Sequence, residues 1–222
     1  MSGTLETNLK AGPEAPRSCS LCPRLAAYRG DNQRDEPDWF NGAVPSFGNP
    51  NAQLLIVGLA PGRNGANRTG RPFTGDYAGH LLYATLIEFG FAKGTYDARP
   101  DDGLSLVNTM ITNAVRCVPP QNKPAPEEIT TCRPFFEARL AALPNLRIML
   151  ALGRIAHDQT LATLKLRKTE FPFAHGRRHA VNSTLVLYDS FHCSRYNTNT
   201  GRLTVDMFRT VFAEIQDELD RV

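Results

Sequence analysis

Between Gln53 and Ala60 the chain runs Leu-Leu-Ile-Val-Gly-Leu without polar alternation, and Ile148 to Leu152 repeats the pattern. Apolar runs of this length read as strands buried on both faces, the condition of parallel strands covered above and below. Two further strands are expected, within Leu104 to Val115 and over Thr184 to Tyr188. Helical spacing fills the gaps. Tyr77 to Phe89 places Leu81, Leu82, Leu86 and Phe89 on one face, and Thr204 to Leu219 does the same with Val205, Phe208, Val211, Phe212, Ile215 and Leu219. Pro126, followed by Glu127 and Glu128, opens a helix expected to reach about Leu143 with a kink at Pro134. Gly153 to Leu164 supplies another. Strands separated by helices predict an α/β chain. The expected form is a single three-layer α/β/α domain over residues 17–222, around a central, mainly parallel four-stranded sheet. Residues 1–16, with Gly12, Pro13 and Pro16, read as a flexible N-terminal arm.

In open parallel sheets, sites form beyond the carboxyl ends of the strands. Three segments rich in Gly, Asn, Arg and Thr stand there: Pro61 to Asp76, Asn113 to Pro120 and His192 to Arg202. They are expected to build one composite site. Composition allows one ordinary core, with 41% hydrophobic residues in 222. No apolar run is long enough to span a bilayer, and the first residues lack the apolar stretch of a secretory signal. A soluble cytoplasmic protein without membrane contact is expected. A net charge of +3 does not itself imply a nucleic-acid partner. Local basic groups carry more weight: Arg63, Arg68 and Arg71; Lys165, Arg167, Lys168, Arg177, Arg178 and His179; and Arg195 with Arg202.

Five cysteines punctuate the chain. Cys19 and Cys22 form a C-x2-C pair, and Cys117 and Cys132 are separated by 14 residues. With nothing secretory in the sequence, thiols grouped two and two suggest a tetrathiolate site for zinc or an iron–sulfur cluster. The second pair is wider than a zinc-ribbon knuckle, which leans towards iron. Cys193 neighbours His192, but adjacent residues on a strand point to opposite faces, so Cys193 is read as packing.

Gly58-Leu-Ala-Pro-Gly62 together with Gly70-Arg-Pro-Phe-Thr-Gly-Asp76 resembles the uracil-DNA glycosylase superfamily. The longer string from Gly65 to Asp76, and His192-Cys-Ser-Arg-Tyr-Asn-Thr-Asn-Thr-Gly-Arg-Leu-Thr204, resemble its type-B, or family 5, members. Thr112-Asn-Ala-Val-Arg-Cys-Val-Pro-Pro120 is similar to the block in which an asparagine precedes a cluster cysteine. The resemblance implies a 4Fe-4S cluster on Cys19, Cys22, Cys117 and Cys132, structural in role. Such a cluster with four thiolates carries about −2 and would lower the net charge to roughly +1, leaving DNA binding to the local basic loops.

It also implies a repair hydrolase. Its substrate would be DNA carrying uracil or another deaminated base, flipped from the duplex and cut at the N-glycosidic bond. Phe73 matches the stacking aromatic, beside a wall that includes Gly58, Ala60 and Gly62. Asn113 matches the base-reading amide, whose NH2 and C=O complement uracil O4 and N3–H. His192 matches the histidine that donates towards O2 of the departing base. Leu59 and Ala60 are apolar where many members carry a polar residue that activates water. Asp76 is the candidate replacement, although it would equally cap the helix beginning at Tyr77. Arg195, or Tyr196 beside it, is placed to fill the gap left in the stack or to contact phosphate. No lysine stands at the matched positions, so simple hydrolysis to an abasic site by a monomer is expected. The competing readings are a metal-stapled nucleic-acid-binding protein without catalysis, and an electron-transfer iron–sulfur protein.

Overall fold

A computed structural model describes residues 13–221, so most of the expected N-terminal arm lies outside the described residues. Within its last residues, Ala15 is buried and Glu14 pairs with Arg116 and Arg139. The central sheet holds six strands, not four, in the order β1 (Phe47–Gly48), β5 (Thr109–Asn113), β2 (Leu54–Gly58), β6 (Ile148–Leu152), β8 (Val186–Ser190) and β7 (Arg178–Ala180). The four expected strands are its parallel centre. The two unanticipated ones are antiparallel edges of two and three residues, too short to show any period. The expected Leu104–Val115 strand is divided by Asn108, whose φ is 47°. Its first part, β4 (Ser105–Leu106), pairs with β3 (Ala92–Lys93) in a separate ribbon, and only β5 enters the main sheet.

The alternation along β2 sends its side chains to two cores. Leu54 and Ile56 pack with α3 (Tyr77–Glu88) and α7 (Val205–Asp220), through Leu82, Leu86, Phe208, Phe212 and Ile215. Leu55 and Val57 face α4 (Pro126–Ala141) and α5 (Arg154–Thr163), through Phe136, Ala156 and Leu161. This is the α/β/α sandwich that the strand pattern predicts. Pro134 is accommodated inside α4. Thr204 caps α7 by accepting from the Met207 N–H at 3.1 Å, and Asp206 occupies its first turn.

One helix lacks an apolar face, although Pro23 stands at its first position. The polar α1 (Pro23–Asp35) follows Cys22 and buries Leu25, Arg29 and Asn32, so it shows no apolar stripe. The Arg29 Nη2 donates to the Cys19 carbonyl at 2.8 Å, and Asn32 Oδ1 accepts from Arg63 Nε at 2.6 Å. Polar contacts therefore replace the usual greasy face. The short α2 (Ala66–Thr69) and α6 (Arg195–Asn199) lie within the strand-end segments. Among the described residues no helix is long and apolar enough to cross a membrane.

Phe212 is fully buried and meets Phe89, Phe91 and Phe208 with ring centroids 5.1–6.3 Å apart. Phe212→Ala is expected to cost about 3–5 kcal/mol in urea unfolding, the range for removing a core aromatic.

Candidate active site

The carboxyl ends of β2, β5 and β8 open onto a cleft of about 580 Å3. It is lined by Leu59, Ala60, Gly62, Phe73, Asp76, Asn113, His192 and Arg195, from four separate stretches of chain. Gly58 lies directly beneath it. A Cβ there would run into Asn113 Oδ1 and stand 2.8 Å from Phe73 Cζ, so this glycine lets the amide and the ring approach one another.

Phe73 holds a φ of 53°, a left-handed conformation costly for an aromatic residue. The turn is over-determined. Arg71 Nε donates to Thr74 Oγ1 at 2.7 Å, and its two terminal nitrogens donate to Asp102 at 2.8 and 2.7 Å. The Tyr83 hydroxyl donates to the Pro72 carbonyl at 2.6 Å, and the Tyr96 hydroxyl to the Phe73 carbonyl at 3.3 Å. The Arg71 guanidinium also sits within 5.8 Å of the Phe47, Tyr83 and Tyr96 ring centres. Arg71 hydrogen bonds hold the Asp102 carboxyl well below the usual carboxylate range. Arg71 is therefore an internal brace, not part of an exposed basic loop.

Asp76 both caps a helix and borders the cleft. Its Oδ1 accepts from the Gly79 N–H at 3.1 Å and caps α3. Its Oδ2 lies along Gly65, where a Cβ would stand 2.5 Å away, and the side chain lines the cleft. Burial raises its pKa above the ordinary 3.8, partly opposed by the Gly79 and Ala78 N–H groups. Burial alone lowers His192 to about 4, so its imidazole is neutral at physiological pH. The Phe73 and His192 ring centres are 5.9 Å apart. Asn197 Nδ2 donates to the His192 carbonyl at 2.8 Å and steadies the turn that presents the ring.

Arg195 lies at the mouth, its guanidinium carbon 5.1 Å from the Tyr77 ring centre, and Tyr196 beside it is 72% exposed. Tyr77 and Asn122 also line the cleft and were not singled out from the sequence. Tyr77 reads only as a first helical residue. Asn122 follows Pro119-Pro120-Gln121, and the successive left-handed φ values of Gln121 (55°) and Asn122 (57°) define the turn that carries it in. The dipeptide Pro119-Pro120 was the available signal.

The second basic stretch does not face the cleft. Arg167 pairs with Glu170, Lys168 with Asp158, and Arg178 with Glu218. His179 is buried, with Nε2 2.9 Å from Asp189 Oδ2, while His157 Nδ1 is 2.6 Å from Asp189 Oδ1. This buried His157–His179–Asp189 group is the one set among the described residues whose three donor atoms lie within 4.8 Å of one another. Its separations are those of hydrogen bonds, shorter than the roughly 3.3 Å between ligands of a tetrahedral ion at about 2.0 Å. It fastens β7 and α5 to β8.

Cys19, Cys22, Cys117 and Cys132 wall a second cavity with Leu25, Val115 and Phe135. Cys193 is elsewhere, buried in the core with its thiol pushed up by burial. Burial and the neighbouring thiols raise Cys22 to about 11. Burial is also the largest cause of the rise of Cys117 to about 12 and Cys132 to about 11, with neighbouring thiols adding to both. A positive centre would instead hold them as thiolates. Donors already point at the sulfurs: Arg29 Nη1 to Cys117 Sγ and the Arg116 N–H to Cys132 Sγ, both at 3.3 Å. The donor set fits a thiolate-held metal group.

A family model described as the uracil DNA glycosylase superfamily matches residues 45–216. The chain is 47% identical over 203 residues to a type-5 uracil-DNA glycosylase of Thermus thermophilus, covering 89% of this chain and 92% of that protein. It is 38% identical to the type-5 uracil-DNA glycosylase of Pyrobaculum aerophilum, covering 87% and 86%. A type-4 uracil-DNA glycosylase of Sulfurisphaera tokodaii matches at 27% identity, over 76% of this chain and 73% of the relative.

Asp102→Ala is expected to destabilise the protein by about 3–5 kcal/mol in urea, because it strands the Arg71 charge in the interior. The same measurement on Arg178→Ala, at an exposed pair, should show about 1 kcal/mol or less.

Proposed function

The chain belongs to the uracil-DNA glycosylase superfamily, and on that premise we propose that it is a monofunctional DNA-repair glycosylase. It hydrolyses the N-glycosidic bond of a flipped uracil or related deaminated base and leaves an abasic site. The observation that carries this reading is the convergence of Phe73, Asn113, His192 and Asp76 on one cleft at the strand ends.

The extruded base stacks on Phe73, and the Asn113 amide pairs with uracil O4 and N3–H. Cytosine presents the opposite order, and one bidentate contact discriminates by about 1–3 kcal/mol. Neutral His192 donates an N–H to O2 as negative charge gathers on the leaving base. The Asp76 carboxylate faces the developing sugar cation and accepts a hydrogen bond from the attacking water. Leu59 and Ala60 leave the neighbouring wall apolar, and a cleft of about 580 Å3 has room for more than one pyrimidine. That space supports a substrate range extending to hypoxanthine, xanthine or substituted uracils. Arg195 contacts phosphate at the mouth, and exposed Tyr196 fills the gap in the base stack. The enzyme acts as a monomer on chromosomal DNA in the cytoplasm.

Cys19, Cys22, Cys117 and Cys132 would hold a 4Fe-4S cluster, which supplies a structural staple and takes no part in hydrolysis. Among the described residues no three of these thiols have sulfurs within 4.8 Å of one another. A single tetrahedral zinc, with Zn–S of about 2.3 Å, needs sulfurs about 3.8 Å apart. The wider spacing supports a cluster.

Release of free uracil from a duplex carrying one U opposite G, with strand cleavage only after alkali, tests the activity. DNA binding without base release would favour the non-catalytic metal-stapled reading. Asp76→Asn separates the two roles of that residue, since asparagine caps a helix about as well as aspartate. Single-turnover rates should fall by about 10²–10⁴-fold, with DNA affinity and thermal midpoint little changed. In the parent enzyme the rate should fall as pH drops through the raised Asp76 value, because only the carboxylate is active. His192 stays neutral until about pH 4 and adds no separate limb near its ordinary 6.5.

A further inference from the structure

The wall of the four-cysteine cavity contains an arginine that the protein leaves half unpaired. Arg116, next to Cys117, is 1% exposed and lines the cavity with the four cysteines. Its Nη1 donates to Ser46 Oγ at 2.8 Å and meets Glu14 Oε2 at 2.9 Å. Its Nε and Nη2 are buried without a partner among the described residues. A buried guanidinium with unspent donors is costly, and calls for an anion at that place. The guanidinium is within electrostatic reach of Cys132 and Cys117.

The charges around it add a second observation. Arg29 donates to Cys117 Sγ at 3.3 Å, and Arg139 shares Glu14 with Arg116. Arg24 and Glu128, which line a neighbouring pocket with Cys22, neutralise one another at 2.7 Å. Three cations and the single anion Glu14 leave two positive charges in the protein beside the cavity. A four-iron four-sulfur cluster with four thiolates carries about −2. The protein thus holds a matching opposite charge.

We infer that Arg116, assisted by Arg29, is the buried counter-charge of the cluster, and that Glu14 holds Arg116 in place and trims its field. This rests on the cofactor reading above. It assigns Arg116 and Glu14 a role in retaining the cluster and setting its reduction potential, which depends on local charge and on hydrogen bonds to the sulfurs.

The test compares anaerobically purified wild type with Arg116→Gln, Glu14→Gln and Arg116→Lys. The readouts are iron and acid-labile sulfide content, cluster lifetime under a chelator, and potential by protein-film voltammetry. Arg116→Gln is expected to shorten cluster lifetime about 10-fold or more, as for other lost outer-shell partners, and to move the potential negative. Glu14→Gln removes a negative charge and should move the potential positive. Arg116→Lys keeps the charge and should stay near wild type. A purely structural network would move the Arg116→Gln and Glu14→Gln potentials in the same direction, or not at all, and either result would overturn the inference. Should Arg116→Gln fail to fold, the sign of the Glu14→Gln shift against Arg116→Lys decides. Zinc instead of iron in the wild type would overturn the cofactor reading itself, whereas iron with unmoved potentials overturns this inference alone.

Discussion

Four parallel strands buried on both faces give most of the sheet over to apolar side chains, and the carboxylate within them, Asp189 of β8, is held by His157 and His179. All five residues of each of β2, β5, β6 and β8 are buried. The carboxyl end of the sheet is where Gly58, Asn113 and Ser190 hand the chain over to loops. The cleft follows from that handover. Its geometry is set by the strand termini together with the braced turns that follow them, a glycine at 58 placing an amide from one strand against a ring from another turn.

What was legible in the sequence tracks how each element is stabilised. Buried strands and one-faced helices advertise themselves, because hydrophobic burial leaves a period. The edge strands Phe47–Gly48 and Arg178–Ala180 are too short for one, and α1 is fixed by Arg29, Asn32 and the Cys19 carbonyl through polar contacts that have no period. Asp76 was ambiguous for a physical reason: one carboxylate oxygen caps a helix while the other borders the cleft. The basic stretches misled in a different way. Charge can be counted from sequence, but its partner cannot, and Arg71 and Arg178 are both spoken for, by Asp102 and Glu218.

The cleft also shows how strain and support are distributed. Phe73 is held in an unfavourable backbone conformation by hydrogen bonds from Tyr83 and Tyr96, and by an arginine whose own charge is buried against Asp102. None of these supporting groups lines the cleft. The shape of the cleft wall at Phe73 is thus maintained from behind. Such preorganisation lets a binding surface act without reorganising at the moment of reaction.

The two cavities are threaded together along the chain. Cys19 and Cys22 precede the whole cleft, Cys117 falls between Asn113 and Asn122, and Cys132 comes before His192. No single cut divides the polypeptide into a piece bearing the four cysteines and a piece bearing the cleft. The cysteine cavity and the cleft are therefore not separable lengths of chain: a stretch running from Cys19 to Cys132 necessarily carries the part of the cleft wall from Leu59 to Asn122 as well.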